Sequence, residues 1–396
     1  MLKTYKYRIY PTNNQIIKID QTINVCRFIY NLALETKIRA WQSAQKSISA
    51  YDLQKQLPEL KKEYPWIAEV HSQALTGCIL NLDKAFRSFF KGHGFPKFKN
   101  KKQSQSFPCP CGKREVNFNK STLTIPKIND IPIVFSRQFD GKIKTVTIIK
   151  TKTNKYFASI LVDNGQTLPI KPATLSDKVV GIDIGIKSFV VTSNGLFYEP
   201  NQKLKENLQR LKCLQNRASR KKKGSKNKIK ANLSVAKIHE RVLNQRADYI
   251  HKITTYLVCD NQVDTFVIED LNIRGMVKNE KLAKAISDAS FGEFSRQMKY
   301  KCEWYGKNLI IINRFAPSSK RCSDCGEINK ALTLSDREWT CKCGSHHDRD
   351  LNAAKNIKWF GLNNSGVGSS GEPVESRRLR RAKKQEKYYC QDFKAS

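Results

Sequence analysis

One stretch near the C-terminal end, residues 322–356, limits the possible folds of this chain more than any other. It contains the pairs Cys322/Cys325 and Cys341/Cys343, with a glycine after each pair and fifteen residues between them. Two close cysteine pairs at such a separation are typical of a zinc ribbon, in which four thiolates hold one ion tetrahedrally. The stretch therefore predicts Zn²⁺ bound by these four cysteines.

The second cysteine pair has a one-residue spacer, which is shorter than the common spacing of zinc motifs. His346 or His347 could therefore replace one of the sulfurs. Asp348 and Asp350 follow directly, ahead of an Asn/Ala-rich segment that predicts a helix over residues 351–360. Asp348 is placed to cap the N-terminus of that helix, which leaves Asp350 to project from its first turn.

The charge of the chain points to a polyanionic partner. Lys and Arg number 72 against 35 Asp and Glu, so the formal charge is +37 over 396 residues. Solubility alone needs a net charge of only about 2–8 in a small domain, so we expect the partner to be nucleic acid. The chain contains no run of about 20 apolar residues and no signal-peptide pattern, which predicts a cytoplasmic protein without a membrane partner.

Twelve cysteines would suggest disulfides in a secreted chain, but in a reducing compartment a closely spaced set more often binds metal. Cys109 and Cys111 form a further close pair. One pair cannot complete a tetrahedral site and no second pair lies nearby in the sequence, so we expect these two to be free thiols.

The first ninety residues predict one strand followed by helices. The alternating segment 4–10 stops at a proline, which indicates an initial or edge strand. Thr12 and Gln15 have the capping-box spacing and predict the start of a helix. Helical periodicity returns over residues 75–89, and more weakly over residues 51–60.

The sequence pattern changes after Gly92 from helical periodicity to short alternating runs. Short alternating runs over residues 116–162 predict a β-rich barrel or sandwich, with one hairpin turn at Gly141-Lys142. Just before these runs, residues 94–102 interleave phenylalanine with lysine. This pattern suits phosphate contact with base stacking, and an ordinary amphipathic strand would look similar.

Two apolar segments of the second half carry acids, Asp183 on one and Glu269-Asp270 on the other. A buried, unpaired carboxylate would be neutralised, so Asp183 needs a metal or a hydrogen-bond partner unless it serves a turn with Gly185. Glu269 and Asp270 point to opposite faces of a strand, and alternation alone does not select between them. With Asp350, three acids on separate elements form a hard oxygen site suited to Mg²⁺ or Mn²⁺. Two such ions about 3.5–4 Å apart can promote phosphodiester hydrolysis.

Between the two acidic strands, residues 204–246 predict a basic helical hairpin broken at Gly224-Ser225. The centre, residues 217–230, holds eight cations in fourteen residues. A hairpin that follows a phosphate backbone fits this pattern. A solvated loop is the alternative.

Together these motifs resemble the TnpB proteins of bacterial insertion sequences, which are compact RNA-guided DNA endonucleases related to type V CRISPR effectors. The resemblance covers nearly all of residues 1–360. The short spacer between Cys341 and Cys343 and the Cys109/Cys111 pair depart from the family pattern. The segments that carry the resemblance are Tyr7–Pro11 with Gln15, Arg27–Asn31, Gly94–Phe98, Gly181–Gly185, Ile268–Leu271, Ser287–Gly292 and the block from Cys322 to Asn356.

The resemblance implies a multidomain α/β fold. A helical recognition unit (12–90) would be inserted in a β-barrel wedge domain (1–11 and 91–172). An RNase H-like (RuvC) nuclease domain (173–314 and 348–362) would follow, with an inserted zinc ribbon (315–347). Residues 363–396 lie outside the resemblance, and their Ser, Gly, Lys and Arg predict a disordered basic tail.

The resemblance also implies the activity. Asp183, Glu269 and Asp350 match the catalytic, Mg²⁺-binding acids of the RuvC-type site, which selects Glu269 over Asp270. A monomeric ribonucleoprotein at the prokaryotic nucleoid would bind a guide RNA from the transposon end and cut double-stranded DNA beside a short transposon-adjacent motif. Base pairing would read the target, and the protein would read backbone shape and the motif.

Candidate nucleic-acid contacts come from the basic and aromatic segments and from the helix over residues 70–90, which matches the family's motif-reading helix. They are Arg8, Tyr10, Arg27, Ser72, Gln73, Thr76, Lys97, Lys99, Arg217, Arg220, Lys221 and Lys222. Two alternatives remain for the whole protein: a compact type V CRISPR-associated nuclease, or an RNA-guided DNA binder that does not cleave. A strand-transferring transposase is disfavoured, because the chain has no tyrosine nucleophile in a His-hydrophobe-His context.

Overall fold

The computed structural model describes residues 1–101, 105–110, 114–174, 176–259, 262–333 and 336–363. Within these ranges, the chain divides into two compact units, residues 1–166 and residues 167–363. Each unit has its own hydrophobic core. None of the helices in these ranges combines the length and apolarity that a membrane crossing requires.

In its described residues, the first unit begins with a strand, continues with five helices and ends with six strands. The predicted capping box is confirmed, because the backbone N–H of Thr12 donates to Gln15 Oε1 at 2.9 Å and the first helix starts at the next residue. The elements are β1 (Leu2–Ile9), α1 (Asn13–Ala44), α2 (Ala50–Lys55), α3 (Leu57–Glu63), α4 (Pro65–Ala68), α5 (Ser72–Phe90), β2 (Gln105–Cys109), β3 (Glu115–Asn117), β4 (Thr122–Ile125), β5 (Ile128–Val134), β6 (Lys142–Lys150) and β7 (Tyr156–Asp163).

The described strands of this unit form one sheet in the order β2-β6-β7-β1-β5-β4-β3. Strand β1 pairs antiparallel with β7 along its whole length and with β5 at Arg8 and Ile9. It therefore lies inside the sheet, and the prediction of an edge strand is wrong. Tyr7 and Ile9 are buried in the core of the unit, which is typical of a strand inside a sheet.

The predicted hairpin turn at Gly141-Lys142 is also wrong. Strands β5 and β6 are not neighbours, and β6 instead forms a hairpin with β7, through a turn closed by Thr151 N–H donating to Lys155 O at 2.9 Å. Gly141 has φ +123°, and a Cβ there would lie 2.4 Å from the carbonyl oxygen of Asp163. The glycine permits a close approach of two backbones, which a local sequence pattern cannot distinguish from a turn.

Helices α1 and α5 pack together and against β2, and their buried faces contribute much of the core of this unit. The Phe/Lys segment follows α5. Residues 93–100 have no regular secondary structure, so the alternative of an amphipathic strand is wrong there. Lys97 and Phe98 are exposed, so both side chains are accessible to a nucleic-acid partner.

The second unit contains a five-stranded sheet in the order β10-β9-β8-β11-β12. Strands β8, β11 and β12 run parallel, and β9 is antiparallel to β8. The elements are β8 (Val179–Asp183), β9 (Val190–Thr192), β10 (Phe197–Tyr198), α6 (Gln202–Ser219), α7 (Lys226–Cys259), β11 (Thr265–Glu269), α8 (Ile273–Met276), α9 (Glu280–Ala289), α10 (Phe291–Tyr305), β12 (Asn308–Ile312), β13 (Glu338–Thr340), β14 (His346–Asp348) and α11 (Arg349–Asn363).

Both faces of this sheet are covered. Ile182 and Ile268 belong to a core shared with α7 and α10, whereas Val179 and Val267 pack with Ile357 of α11. Alternate residues of β8 and β11 therefore face different helices, as the two-residue period of a strand requires. The predicted basic hairpin is confirmed as α6 and α7, which are joined around a glycine at position 224 with φ +84°.

Candidate active site and metal centre

The two acidic strands place their carboxylates side by side. Strands β8 and β11 are parallel neighbours, with Ile182 paired to Ile268. Asp183 and Glu269 are the next residues on each strand, and both are half-buried. Because side chains alternate, both lie on the sheet face that packs on α11. Asp270 is exposed and is paired with an arginine at position 314.

The third acid enters from the first turn of α11. The predicted cap is confirmed, because the backbone N–H of Leu351 donates to Asp348 Oδ1 at 2.8 Å. Helix α11 lies directly on β8: a Cβ on Gly181 would come within 2.2 Å of the carbonyl oxygen of Ala354. Only a glycine allows this contact, which brings Asp350 to the end of the strand that carries Asp183.

The three carboxylates lie close enough to influence one another electrostatically. Burial, together with the negative charges of Glu269 and Asp350, raises the pKa of Asp183 to about 8, against the opposing effects of the Ile184 backbone and the Arg349 charge. Burial also raises the pKa of Glu269, which a hydroxyl hydrogen bond from Ser318 partly offsets. A divalent cation would remove the repulsion that raises the pKa of Asp183.

These oxygen donors fit a divalent cation of the Mg²⁺ class by their chemistry. Within the described residues, their oxygens do not all lie within 4.8 Å of one another, as the cysteine sulfurs of the ribbon do.

The four ribbon cysteines converge. Cys322 Sγ lies 3.8 Å from Cys343 Sγ, and Cys325 Sγ lies 3.6 Å from Cys341 Sγ. In a tetrahedron with Zn–S bonds of about 2.3 Å, the sulfurs are about 3.8 Å apart. The donor set and its spacing therefore fit a four-thiolate zinc ion, as the sequence predicts.

The two histidines considered as replacement ligands differ in position. His347 is buried, packs on Trp339, and has its Nε2 at 3.0 Å from Cys322 Sγ. With Cys322 and Asp324 it forms a second group of metal-sized geometry. His346 contacts Thr340 Oγ1 instead, at 3.1 Å. Of the two histidines, only His347 contacts a ribbon cysteine. The four cysteine sulfurs form a complete set of four ligands without it.

Of the predicted free thiols of Cys109 and Cys111, only that of Cys109 lies within the described residues. This residue is buried at the end of β2, and burial raises the pKa of its thiol to about 12. It belongs to neither of the metal-sized clusters found among the described residues. Cys111 lies outside the described residues.

The structure divides the predicted nucleic-acid contacts into two groups. Arg8 donates to Tyr156 O at 3.2 Å, and Lys99 lies over the Tyr30 ring at 3.9 Å, so both already have protein partners. Arg27, Gln73 and Thr76 are also half-buried. The exposed candidates are Tyr10, Ser72, Lys97, Arg217, Arg220, Lys221 and Lys222.

Sequence reasoning missed a cavity of about 650 Å³ in the first unit. Trp41, Phe90 and Phe98 line it, each more than a third exposed. Lys46 and Arg87 also line it. Aromatic faces beside cations suit unpaired bases and their phosphates. The sequence signal was weak, because these residues come from three separate segments.

Comparison with known proteins identifies the family. A protein of Streptomyces pristinaespiralis, named as a candidate RNA-guided DNA endonuclease, is 38% identical and covers 97% of this chain and 96% of its own length. The similarly named InsQ of Escherichia coli K12 is 30% identical over 95% of this chain and 96% of its own length. This chain belongs to the TnpB/OrfB family.

The TnpB family models match separate parts of the chain. The model described as probable transposase covers residues 159–280, and a Cas12f1-like TNB domain covers residues 291–357. A model described as a helix-turn-helix domain covers residues 1–46, where the structure has β1 and the single helix α1.

The fold agrees with the TnpB assignment. The chain superposes on a Cas12f1 structure solved with its guide RNA and target DNA, with a TM-score of 0.59 at 16% identity, over 90% of this chain and 98% of that one. The similarity shows a Cas12f-like fold of mixed helices and sheets.

Proposed function

We propose that this protein is an RNA-guided, metal-dependent endonuclease that hydrolyses phosphodiester bonds of double-stranded DNA at a single RuvC-like site. The observation that supports the proposal is geometric: Asp183 and Glu269 end the adjacent parallel strands β8 and β11, and α11, which carries Asp350 in its first turn, packs directly on β8. Relatives that share 38% and 30% identity along almost the whole chain are named as RNA-guided DNA endonucleases.

Asp183, Glu269 and Asp350 would hold the divalent ions. Bound there, Mg²⁺ or Mn²⁺ supplies an activated water and stabilises the leaving oxygen of the cleaved strand. The chain's own contribution is to fix the acids before substrate arrives. Two acids end adjacent hydrogen-bonded strands, and the third is in the first turn of a helix capped by Asp348.

The domain boundaries implied by the family resemblance are part of this proposal. Residues 173–314 and 348–362 would form the nuclease domain, with the zinc ribbon (315–347) inserted ahead of α11. Residues 1–11 and 91–172 would form the wedge domain around the recognition helices (12–90). The five-stranded sheet with its two acidic strands, and the placement of the four cysteines between β12 and α11, support this division.

We assign a guide RNA encoded at the transposon end and a duplex DNA target as partners of a monomeric ribonucleoprotein. The formal charge of +37 supports a nucleic-acid partner. The exposed cations at the α6–α7 junction and the aromatic cavity of the first unit are surfaces that such partners would contact. The predicted disordered tail, residues 363–396, lies outside the described residues except at position 363.

Purified protein with its co-purifying RNA should cut a matching duplex only when a divalent cation is present. Asp183→Ala should abolish cleavage and leave RNA binding intact. Asp270→Asn is the matched control, since this neighbouring acid is exposed and paired with Arg314. Cleavage by Asp183→Ala at the parental rate would refute the catalytic assignment. Target binding by the parent protein without any cleavage would identify a non-cleaving RNA-guided binder instead.

A compact CRISPR-associated nuclease is the second candidate, favoured by the structural similarity to Cas12f1. Sequencing the co-purified RNA separates the two. A transcript from a transposon end supports the proposal, and a repeat-derived CRISPR RNA supports the alternative.

A further inference from the structure

Two asparagines of α11 are buried without a role in the chemistry proposed above. Asn352 and Asn356 lie one helical turn apart and are 1% and 0% exposed. A buried amide is costly unless its donors and acceptor are hydrogen-bonded. Their partners therefore show what these residues do.

Both asparagines bind the first part of the zinc ribbon. Asn356 Nδ2 donates to Ser318 O at 2.8 Å and to Arg321 O at 2.5 Å. Asn352 Nδ2 donates to the same Arg321 carbonyl at 2.8 Å, and Asn352 Oδ1 accepts from the backbone N–H of Ser323 at 2.9 Å. Residues 318–323, which include the first zinc cysteine, are thus fixed on the helix that carries Asp350.

The side chain of Arg321 strengthens this attachment. Its guanidinium donates to Asn356 Oδ1 at 2.8 Å and lies 3.9 Å from the ring centre of Trp359. Both partners are on α11. We call residues 318–323, with their contacts to α11, the ribbon anchor.

The ribbon anchor also touches the active site. Ser318 is 6% exposed, and its hydroxyl donates to Glu269 Oε1 at 2.5 Å. A glutamate has three side-chain torsions, so a fixed donor on one carboxylate oxygen restricts where the other can point. The same short segment therefore contacts a proposed metal ligand at one end and contains a zinc ligand at the other.

We propose that Ser318 is a positioning residue for Glu269, and that Asn356 holds Ser318 in place through its backbone carbonyl. The ribbon anchor makes the geometry of the divalent-cation site depend on the folded ribbon. This inference rests on the proposed nuclease function and adds to it: the ribbon is part of the support of the catalytic acids.

The test compares Ser318→Ala, Ser318→Thr and the control Ser319→Ala in the assembled ribonucleoprotein. Electron paramagnetic resonance measures bound Mn²⁺, and DNA cleavage is followed over a Mn²⁺ titration. Ser318→Ala should weaken Mn²⁺ binding and slow cleavage at low Mn²⁺ by about 10–100-fold, the usual effect of losing a hydrogen bond to a metal ligand. Ser318→Thr, which keeps the hydroxyl, should restore both.

Melting temperature and RNA binding distinguish positioning from a general structural role. RNA binding should be unchanged in Ser318→Ala, the melting temperature should fall by only a few degrees, as expected for one lost hydrogen bond, and high Mn²⁺ should recover part of the lost rate. Parental Mn²⁺ binding by Ser318→Ala, or a loss that Ser318→Thr does not restore, overturns the inference. If the parent itself does not cleave, the nuclease proposal fails, and Mn²⁺ binding alone still decides the role of Ser318.

Discussion

Asp183 lies where burial and two neighbouring charges oppose its ionisation, which makes it a source of instability in the metal-free protein. Its folded pKa of about 8 is far above the ordinary aspartate value of about 4 in an unfolded chain. The stability that this group contributes is therefore complete below pH about 4 and is lost as the pH rises through about 8. Above that pH, the folded protein must hold a repelled, half-buried carboxylate.

Asp183→Asn should therefore stabilise the metal-free protein while it abolishes cleavage. We expect its melting temperature to exceed the parental value by about 2–4 °C or more near pH 9, and the difference to vanish near pH 4, in calorimetry with chelator present. Saturating Mg²⁺ should raise the melting temperature of the parent more than that of the variant. An Asp183→Asn protein that melts below the parent at pH 9 would contradict the charge coupling.

At the scale of elements, the contact between α11 and β8 determines where the third acid lies. A Cβ on Gly181 would come within 2.2 Å of Ala354 O and 2.5 Å of Lys358 N, both backbone atoms that cannot rotate away. The helix would have to move off the strand to accept it.

Gly181→Ala should therefore displace α11 and slow cleavage by more than tenfold, with a loss of stability of about 1–3 kcal/mol from overpacking. Hydrogen exchange should rise in α11 more than in α7. Gly94→Ala is the steric control, because no atom lies within 4 Å of a Cβ there. Unchanged exchange in α11 of the Gly181→Ala protein would show that the packing tolerates the methyl group.

The ribbon gives a second prediction at this scale. Cys322→Ser removes one of four converging thiolates, so bound zinc should fall from about one ion per chain to nearly none by elemental analysis. Protease sensitivity should increase within residues 315–347. Cys213→Ser, an exposed position on α6, should keep its zinc. Parental zinc content in Cys322→Ser would refute the four-thiolate site.

The sequence was most informative where a local pattern has one physical cause. The cysteine spacing, the capping box at Thr12 and the cap at Asp348 depend on residues close in the chain, and the structure agrees with each. The role of Gly141 was mistaken because the close approach that requires it comes from Asp163, at the far end of the β6–β7 hairpin and outside the local sequence pattern. The contact of Ser318 with Glu269 spans 49 residues and leaves no periodic signal. The alternation of side chains along a strand could not select Glu269 over Asp270 either. At the level of the sequence, only the family resemblance selected Glu269.

At the scale of the whole molecule, the charge of +37 should make RNA binding strongly dependent on salt. Neutralising Arg217, Arg220, Lys221 and Lys222 with glutamine should weaken RNA binding. If all four side chains contact phosphates, the slope of the logarithm of the binding constant against the logarithm of the salt concentration should become less steep by about 3, since each contact contributes roughly 0.7–0.9. Filter binding over a range of salt concentrations measures the slope.

The matched control keeps every charge by exchanging arginine and lysine at the same four positions. It should retain the parental slope. An unchanged slope in the glutamine variant would show that the α6–α7 junction does not contact the RNA backbone.

The central place of β1 in its sheet affects how the chain can fold during synthesis. Leu2–Ile9 is synthesised well before its full-length partner β7, which begins at Tyr156. At about 5–20 residues per second, the ribosome needs roughly 7–30 s to reach it. Helices α1–α5 are complete during this interval, while β1 has an unpaired backbone along one side at least. The first unit therefore cannot close from its N-terminus onward. A nascent chain that stalls before Tyr156 exposes a strand edge open to pairing with other chains.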